Sequence, residues 1–174
     1  MAWTTPRTWV ASEVPTAAIF NTHVRDNLSY VFSGRGGSTV VRDNGATYTS
    51  TSGTFADIDG TNLAITANII SGKALILFTG VSIMAAASIQ AAFDITVDGT
   101  RIGAAGADGL ITIQAGTNTH KIPVCLAAIK TGLSSGSHTF KPVWRTLSGT
   151  IVLYSGNGVS TEDTIPTFSV MEIG

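Results

Sequence analysis

Three histidines, one cysteine and a scatter of aspartates are the residues of this chain with the means for catalysis or metal binding. His23, His120 and His138 each stand alone in their local stretch, and no H-E-x-x-H, G-x-S-x-G or paired-cysteine motif is present. Cys125 lies in the apolar run Ile122-Pro123-Val124-Cys125-Leu126, where a buried, inert thiol is expected rather than a nucleophile. A single cysteine also excludes an internal disulfide framework. The pairs Asp57/Asp59 and Asp94/Asp98 offer two carboxylates each, which glycoside hydrolysis requires, and Asp57/Asp59 offers two of the oxygens a calcium ion needs. Yet Asp59-Gly60, Asp98-Gly99 and Asp108-Gly109 are turn dipeptides, in which Asp caps the backbone and Gly supplies positive φ. Gly103-x-x-Gly106-x-x-Gly109 does not link a strand to a helix, as a phosphate loop must, and reads as a loop. His138 falls on an aromatic strand and is expected in the core or an interface. No catalytic site, no metal and no cofactor is expected.

The elements that would position these residues are mostly strands. Lys73 to Val97 is the most apolar stretch, close in length to a membrane span. Its pattern is nonetheless one of strands. Leu75-Ile76-Leu77-Phe78 stops at Thr79-Gly80. Val81, Ile83 and Ala85 then alternate with Gly80, Ser82 and Met84, and Ile89, Ala91, Phe93, Ile95 and Val97 alternate with Gln90, Asp94 and Thr96. That period of two marks strands with one buried face, and no aromatic belt or positive flank surrounds them. Two long core strands are expected, closed by the tight turn Asp98-Gly99, and no membrane span.

Residues 1–33 differ in kind. Met1 to Val14 reads as an extended arm with Trp3, Pro6 and Trp9. Thr16 then offers an N-cap, and Ala17, Phe20, Val24, Leu28 and Val31 recur at spacings of three and four. The expectation is an amphipathic helix of about four turns, too short to stand alone in water. Residues 34–38, Gly-Arg-Gly-Gly-Ser, read as a flexible hinge. From residue 39 to 174 short strands and Gly turns follow one another: Val40–Arg42, Tyr48–Ser50, Phe55–Ile58, Leu63–Ile70, Leu110–Gln114, His120–Lys130, and the alternating His138, Phe140, Pro142 and Trp144. Pro142 suggests an edge or a bulge, Ser148-Gly149 a hairpin into Ile151–Tyr154, and Phe168–Ile173 a closing strand. The expected fold is all-β, a jelly-roll-like antiparallel β-sandwich preceded by the arm and helix.

The 174 residues suffice for one domain with a real core. Charged residues make up only 12% against 44% apolar, which suits surfaces that partly pack against something else or a merely polar Ser/Thr surface. Net charge is −1 with no Lys/Arg cluster, so nucleic acid is not an expected partner. No apolar signal segment opens the chain, which points to synthesis in the cytoplasm.

The run Trp3-Thr4-Thr5-Pro6-Arg7-Thr8-Trp9-Val10, continuing through Glu13-Val14 to Asn21-Thr22-His23-Val24-Arg25-Asp26-Asn27-Leu28, resembles the opening of bacteriophage virion proteins of the tail-fibre-like and head-fibre or capsid-decoration kinds. Gly136-Ser137-His138-Thr139-Phe140, Trp144 and the closing Val170-Met171-Glu172-Ile173 are similar to the trimeric jelly-roll heads of such proteins. The resemblance implies a non-enzymatic virion component, a homotrimer made in the host cytoplasm and placed on the virion. Its partners would be other copies of itself and capsid or tail subunits. Residues 1–33 would be the virion anchor, with Trp3, Trp9 and Phe20 as apolar docking residues. His23, Arg25, Asp26 and Asn27 would supply polar contacts or solvate the outer helix face, beside apolar Val24 and Leu28. Two further readings stay open: a tail receptor-binding protein whose loops Gly103–Gly109 and Gly156–Thr164 touch a host surface glycan or protein receptor, and a glycan-acting tail spike.

Overall fold

A computed structural model describes residues 4–33, 37–84, 89–103, 106, 108–116, 120–156 and 164–173. Thr16 caps the helical segment as its type predicts, its Oγ1 accepting from the Ile19 N–H at 3.3 Å. The segment is helical throughout, as α1 (Ala17–Phe20), a π-helical turn (Asn21–Arg25) and α2 (Asp26–Ser33). The π turn, in which the Asp26 N–H reaches the Asn21 carbonyl, absorbs one extra residue. At about 100° per residue, Phe20 and Leu28 would sit about 80° apart on a plain α-helix, and losing one residue of phase brings them within about 20°.

The body is a sandwich of two antiparallel sheets, built from β1 (Gly37–Val41), β2 (Tyr48–Ser50), β3 (Ala56–Asp57), β4 (Ile65–Ile69), β5 (Lys73–Met84), β6 (Gln90–Val97), β7 (Thr100–Arg101), β8 (Ile111–Gln114), β9 (His120–Thr131), β10 (Gly136–Ser148), β11 (Ile151–Leu153) and β12 (Thr167–Glu172). In the first sheet β5 pairs with β9 along its whole length. The other edge of β5 is shared end to end by β12 and β11, flanked in turn by β1 and β2. In the second sheet β6 and β10 form the central pair, with β7 and β8 outside β6, and β3 and β4 outside β10. Gly37 and Ser38 belong to β1, paired with Met171 and Val170, rather than to a hinge; residues 34–36 lie outside the described set.

Ile76 and Phe78 from β5, Phe93 and Ile95 from β6, Phe140 and Trp144 from β10, and Phe168 and Val170 from β12 fill the space between the sheets. Phe78 and Phe168 meet edge to face at 6.4 Å, and Phe93 and Trp144 pack with tilted rings at 6.0 Å.

The Asp98-Gly99 turn forms as expected, with φ of 50° and 80° at its two central residues, the left-handed pair that matches strand twist. Ser148-Gly149 does not make a hairpin. It carries the chain from β10 in one sheet to β11 in the other, as residues 70–72 do between β4 and β5. Pro142 lies on a central strand, not an edge. It is tolerated because β10's outer neighbour changes there from β4, which ends opposite Phe140, to β3, which begins opposite Val143. The bulge falls later, between Thr146 and Ser148.

On β5 the inward positions are Ala74, Ile76, Phe78, Gly80 and Ser82, so Val81 and Ile83 face out, against the alternation read from sequence. The outer face of this sheet follows from the register. Ile129, Leu75, Met171 and Gly37 form one row, Ala127, Leu77, Ser169 and Thr39 the next, and Cys125, Thr79, Thr167 and Val41 a third. None of these residues carries charge.

Candidate docking arm and the polar sites of the body

Among the described residues, the Asn27 side chain ties the arm to the helix. Asn27, 6% exposed, accepts from the Thr4 N–H at 3.0 Å and donates to the Thr4 carbonyl at 2.8 Å and to that of His23 at 3.3 Å. The amide thus pairs with the arm backbone as a neighbouring strand would. A turn at Val10–Glu13 follows, with Ser12 at a φ of 68°, the Glu13 N–H on the Val10 carbonyl and an Arg7–Glu13 ion pair. The Arg7 guanidinium lies 5.5 Å from the centre of the Trp9 ring.

Between arm and helix runs a shallow apolar groove of about 270 Å³, lined by Pro6, His23, Val24, Asn27, Leu28 and Val31. The segment leaves much apolar surface bare. Trp9 is 46%, Phe20 53% and Leu28 52% exposed. The main helical contacts are between neighbouring turns of the segment itself, not with any strand.

Of the sequence-predicted docking residues, Trp9, Phe20 and Leu28 are exposed, and Val24 is half-buried in the groove. His23 lines that groove with its Nδ1 shielded and without a hydrogen-bond partner. Arg25 and Asp26 bond to each other at 2.7–2.8 Å, and Asn27 is committed to the arm. Trp3 lies outside the described residues. Pro6 and Val31 complete the groove without having been singled out by sequence, although the three-and-four spacing already placed Val31 on the apolar stripe.

The candidate catalytic carboxylates are separately engaged. Asp57 pairs with Lys141 at 2.8 Å. Asp59 accepts from the Tyr48 hydroxyl at 2.6 Å and from Thr61 and Asn62. Burial pushes the Asp59 carboxyl up, but these bonds outweigh it and hold the group far below the usual carboxylate range. Asp94, fully buried, accepts from Gly103 N–H at 3.1 Å and faces Arg101 at 3.4 Å. Arg101 and Arg145 both stack on Phe55, at 4.1 and 5.1 Å, and Arg145 pairs with Asp108. Among the described residues no three His, Cys, Asp or Glu side chains converge on a point that could hold a metal.

Cys125 is exposed, not buried. It alternates with inward Val124 and Leu126 and lands on the outer face opposite Thr79, because parity, not local hydropathy, sets the side of a strand residue.

His138 is 7% exposed and has polar partners at both ring nitrogens. Its Nδ1 lies 2.6 Å from Asp98 Oδ2, and its Nε2 lies 2.9 Å from the Ser134 carbonyl and 3.4 Å from the Ser134 hydroxyl. The row Asp98–His138–Ser134 has the order of a nucleophile relay, but both ring nitrogens face oxygen acceptors. An imidazolium donates to both oxygens at once, and in that form the ring has no lone pair with which to take a proton from Ser134. The bonds to Asp98 and then to Ser134 raise the His138 pKa despite burial, while the Thr139 N–H and then His138 lower that of Asp98. The same groups edge a polar cavity of about 390 Å³ with Lys130 and Leu133.

Neither a protein-family model nor a curated protein matches the chain. Among solved structures it is similar to a protein of T=1 particles derived from infectious bursal virus, at 12% identity and a TM-score of 0.37, over 97% of this chain and 41% of that one. A subviral particle of infectious bursal disease virus VP2 overlaps at 14% identity and a TM-score of 0.30, over 80% of this chain and 38% of that one. The chain spans less than half the length of either, and overlaps this loose carry no inference about what it does.

Proposed function

We propose that the chain is a non-enzymatic structural component of a bacteriophage virion, attached through residues 1–33 and projecting the β body as a homotrimer. The observation that carries this reading is the contrast between the two parts. The body closes its own core, whereas the arm and helix expose Trp9, Phe20 and Leu28, and the helical turns pack mainly on one another. An aromatic-bearing amphipathic element that its own domain leaves uncovered is suited to a neighbouring subunit. The resemblance of Trp3–Val10 and Asn21–Leu28 to phage virion openings supplies the setting.

Within that setting, capsid decoration is favoured over receptor binding. The arm enters the body at Gly37, opposite Met171. Gly103 and Gly109, which bracket one candidate receptor loop, lie against Asp94 and Phe93 on the flank of the second sheet. The other loop is closed at its base by the Gly156 N–H on the Thr164 carbonyl, two residues beyond the Tyr154 N–H on the Val81 carbonyl of β5. The described ends of both loops thus lie along the sandwich rather than at the end remote from the arm, and neither loop contains an aromatic residue for a sugar to stack on.

Gold labelling of intact particles with an antibody to the β body tests this. Label over the capsid is expected. Label confined to the tail tip would make the chain a receptor-binding component, and absence of label would refute the virion reading. Deleting residues 1–33 is expected to abolish attachment and leave the body folded.

A further inference from the structure

The first sheet has an outer face built like an interior. Ile129 is 59%, Met171 45%, Leu77 38% and Val41 62% exposed, and the rows that hold them contain no charged residue. Isolated exposed apolar residues are ordinary, but a contiguous uncharged patch on a sheet marks an association surface. The helix presents the matching deficit, a bare stripe that the π turn keeps aligned through Phe20 and Leu28.

We propose that this face is covered by the helix of another copy of this chain, each copy passing its helix to the next around the homotrimer. The lengths agree. The helical segment is roughly 25 Å long at about 1.5 Å per residue, and the uncharged rows from Leu75 to Val81 extend roughly 20–25 Å at about 3.4 Å per residue. The attachment agrees too. The helix is joined through residues 34–36 to Gly37, which lies at the edge of this face, so its C-terminal end stays within about 14 Å of the patch. Placed so near its own sheet, the helix still leaves that sheet bare, and every copy carries both unmet surfaces. A closed ring of such contacts satisfies both in every copy.

This inference rests on the reading of the helix as an association element, but it names the partner as the chain itself. Cys125, the single cysteine, lies on the face and reports on it directly. Full-length Leu28→Cys chains carrying two different tags would be mixed and mildly oxidised. The expected product is a disulfide between position 28 of one chain and Cys125 of another, seen as a species bearing both tags and confirmed by peptide mass. In the native chain, Cys125 is expected to react with a thiol reagent at least ~10-fold more slowly than in a Phe20→Glu, Leu28→Glu double variant. A cross-link confined within single chains would overturn the exchange. So would a link only between two Cys125 thiols, or equal Cys125 reactivity in both proteins. A chain that decorates particles yet fails these tests loses the exchange and keeps its place on the virion.

Discussion

Raising the pH through the range where His138 loses its proton is expected to destabilise the body, and the size of the effect can be worked from its bonds. His138 has a folded pKa raised above its ordinary 6.5, so its contribution is fully present below pH 6.5 and is lost as pH rises through the folded value. Asp98 is shifted the other way, so its share is present above about pH 3.8 and is lost as pH falls through its lower folded value. The pair is therefore whole between roughly pH 4 and 6.5. Deprotonation turns one ring nitrogen's lone pair toward an oxygen, Asp98 Oδ2 or the Ser134 carbonyl, in a site where the ring is 7% exposed. A charge-assisted hydrogen bond contributes about 1.5–3 kcal/mol. The Asp98 side chain is 52% exposed, so solvent screening pulls the figure to about 1–2 kcal/mol. For a chain of this length that is a fall in Tm of roughly 2–8 °C. Lys130 edges the same cavity. Calorimetry of the native chain and of His138→Gln at pH 5.5 and 8.5 isolates the effect by difference. Equal slopes in the two proteins, or a native chain that gains stability with pH, would refute the imidazolium assignment.

Trp144 is 2% exposed and packs on Phe93, so Trp144→Ala is expected to cost about 3–5 kcal/mol in urea unfolding, and a change under ~1 kcal/mol would contradict its core position. Asn27→Ala removes both bonds to Thr4, a local loss of about 1–3 kcal/mol. Hydrogen exchange at the Thr4 amide should accelerate by roughly 5- to 150-fold with no change in the Tm of the body. A fall in that Tm would show that the arm is part of the body's cooperative unit.

Local chemistry was legible wherever a residue type has one dominant use. Thr16 as a cap, Asp98-Gly99 as a left-handed turn, and the strand positions of Phe93, Phe140 and Trp144 all follow from that. What sequence does not specify is the partner across a turn. Ser148-Gly149 carries the same turn residues whether it joins neighbouring strands or crosses between sheets, and only the pairing of β10 with β6 and of β11 with β5 decides. Parity failed for a related reason. Leu75-Ile76-Leu77-Phe78 is apolar on both faces, so hydropathy cannot set its phase, and the error carries on to Val81 and Ile83. The same ambiguity misplaced Cys125. The His138–Asp98 pair joins residues 40 apart in sequence, and nothing local announces it.

A strand apolar on both faces has two explanations, a sheet buried on both sides within the chain or one completed by another molecule. The second sheet takes the first course. Its outer positions Ala92, Asp94 and Val143 are buried, and Arg101, Arg145 and Phe55 stack over that side. The first sheet has no such cover among the described residues. Its long edge is β9, a strand long enough to recruit another chain by backbone pairing, but Pro123 removes a donor from it and lysines stand at positions 121 and 130, while the opposite edge is divided between the short β1 and β2. The edge is thus guarded while the face is bare. A partner that added a strand to β9 would have to pair against Pro123, whereas a helix laid across Leu77, Ile129 and Met171 meets only apolar and hydroxyl side chains. The chemistry of this sheet therefore favours association face-on, and the amphipathic segment at residues 17–33 is the element of the chain with the shape and the exposed stripe to make it.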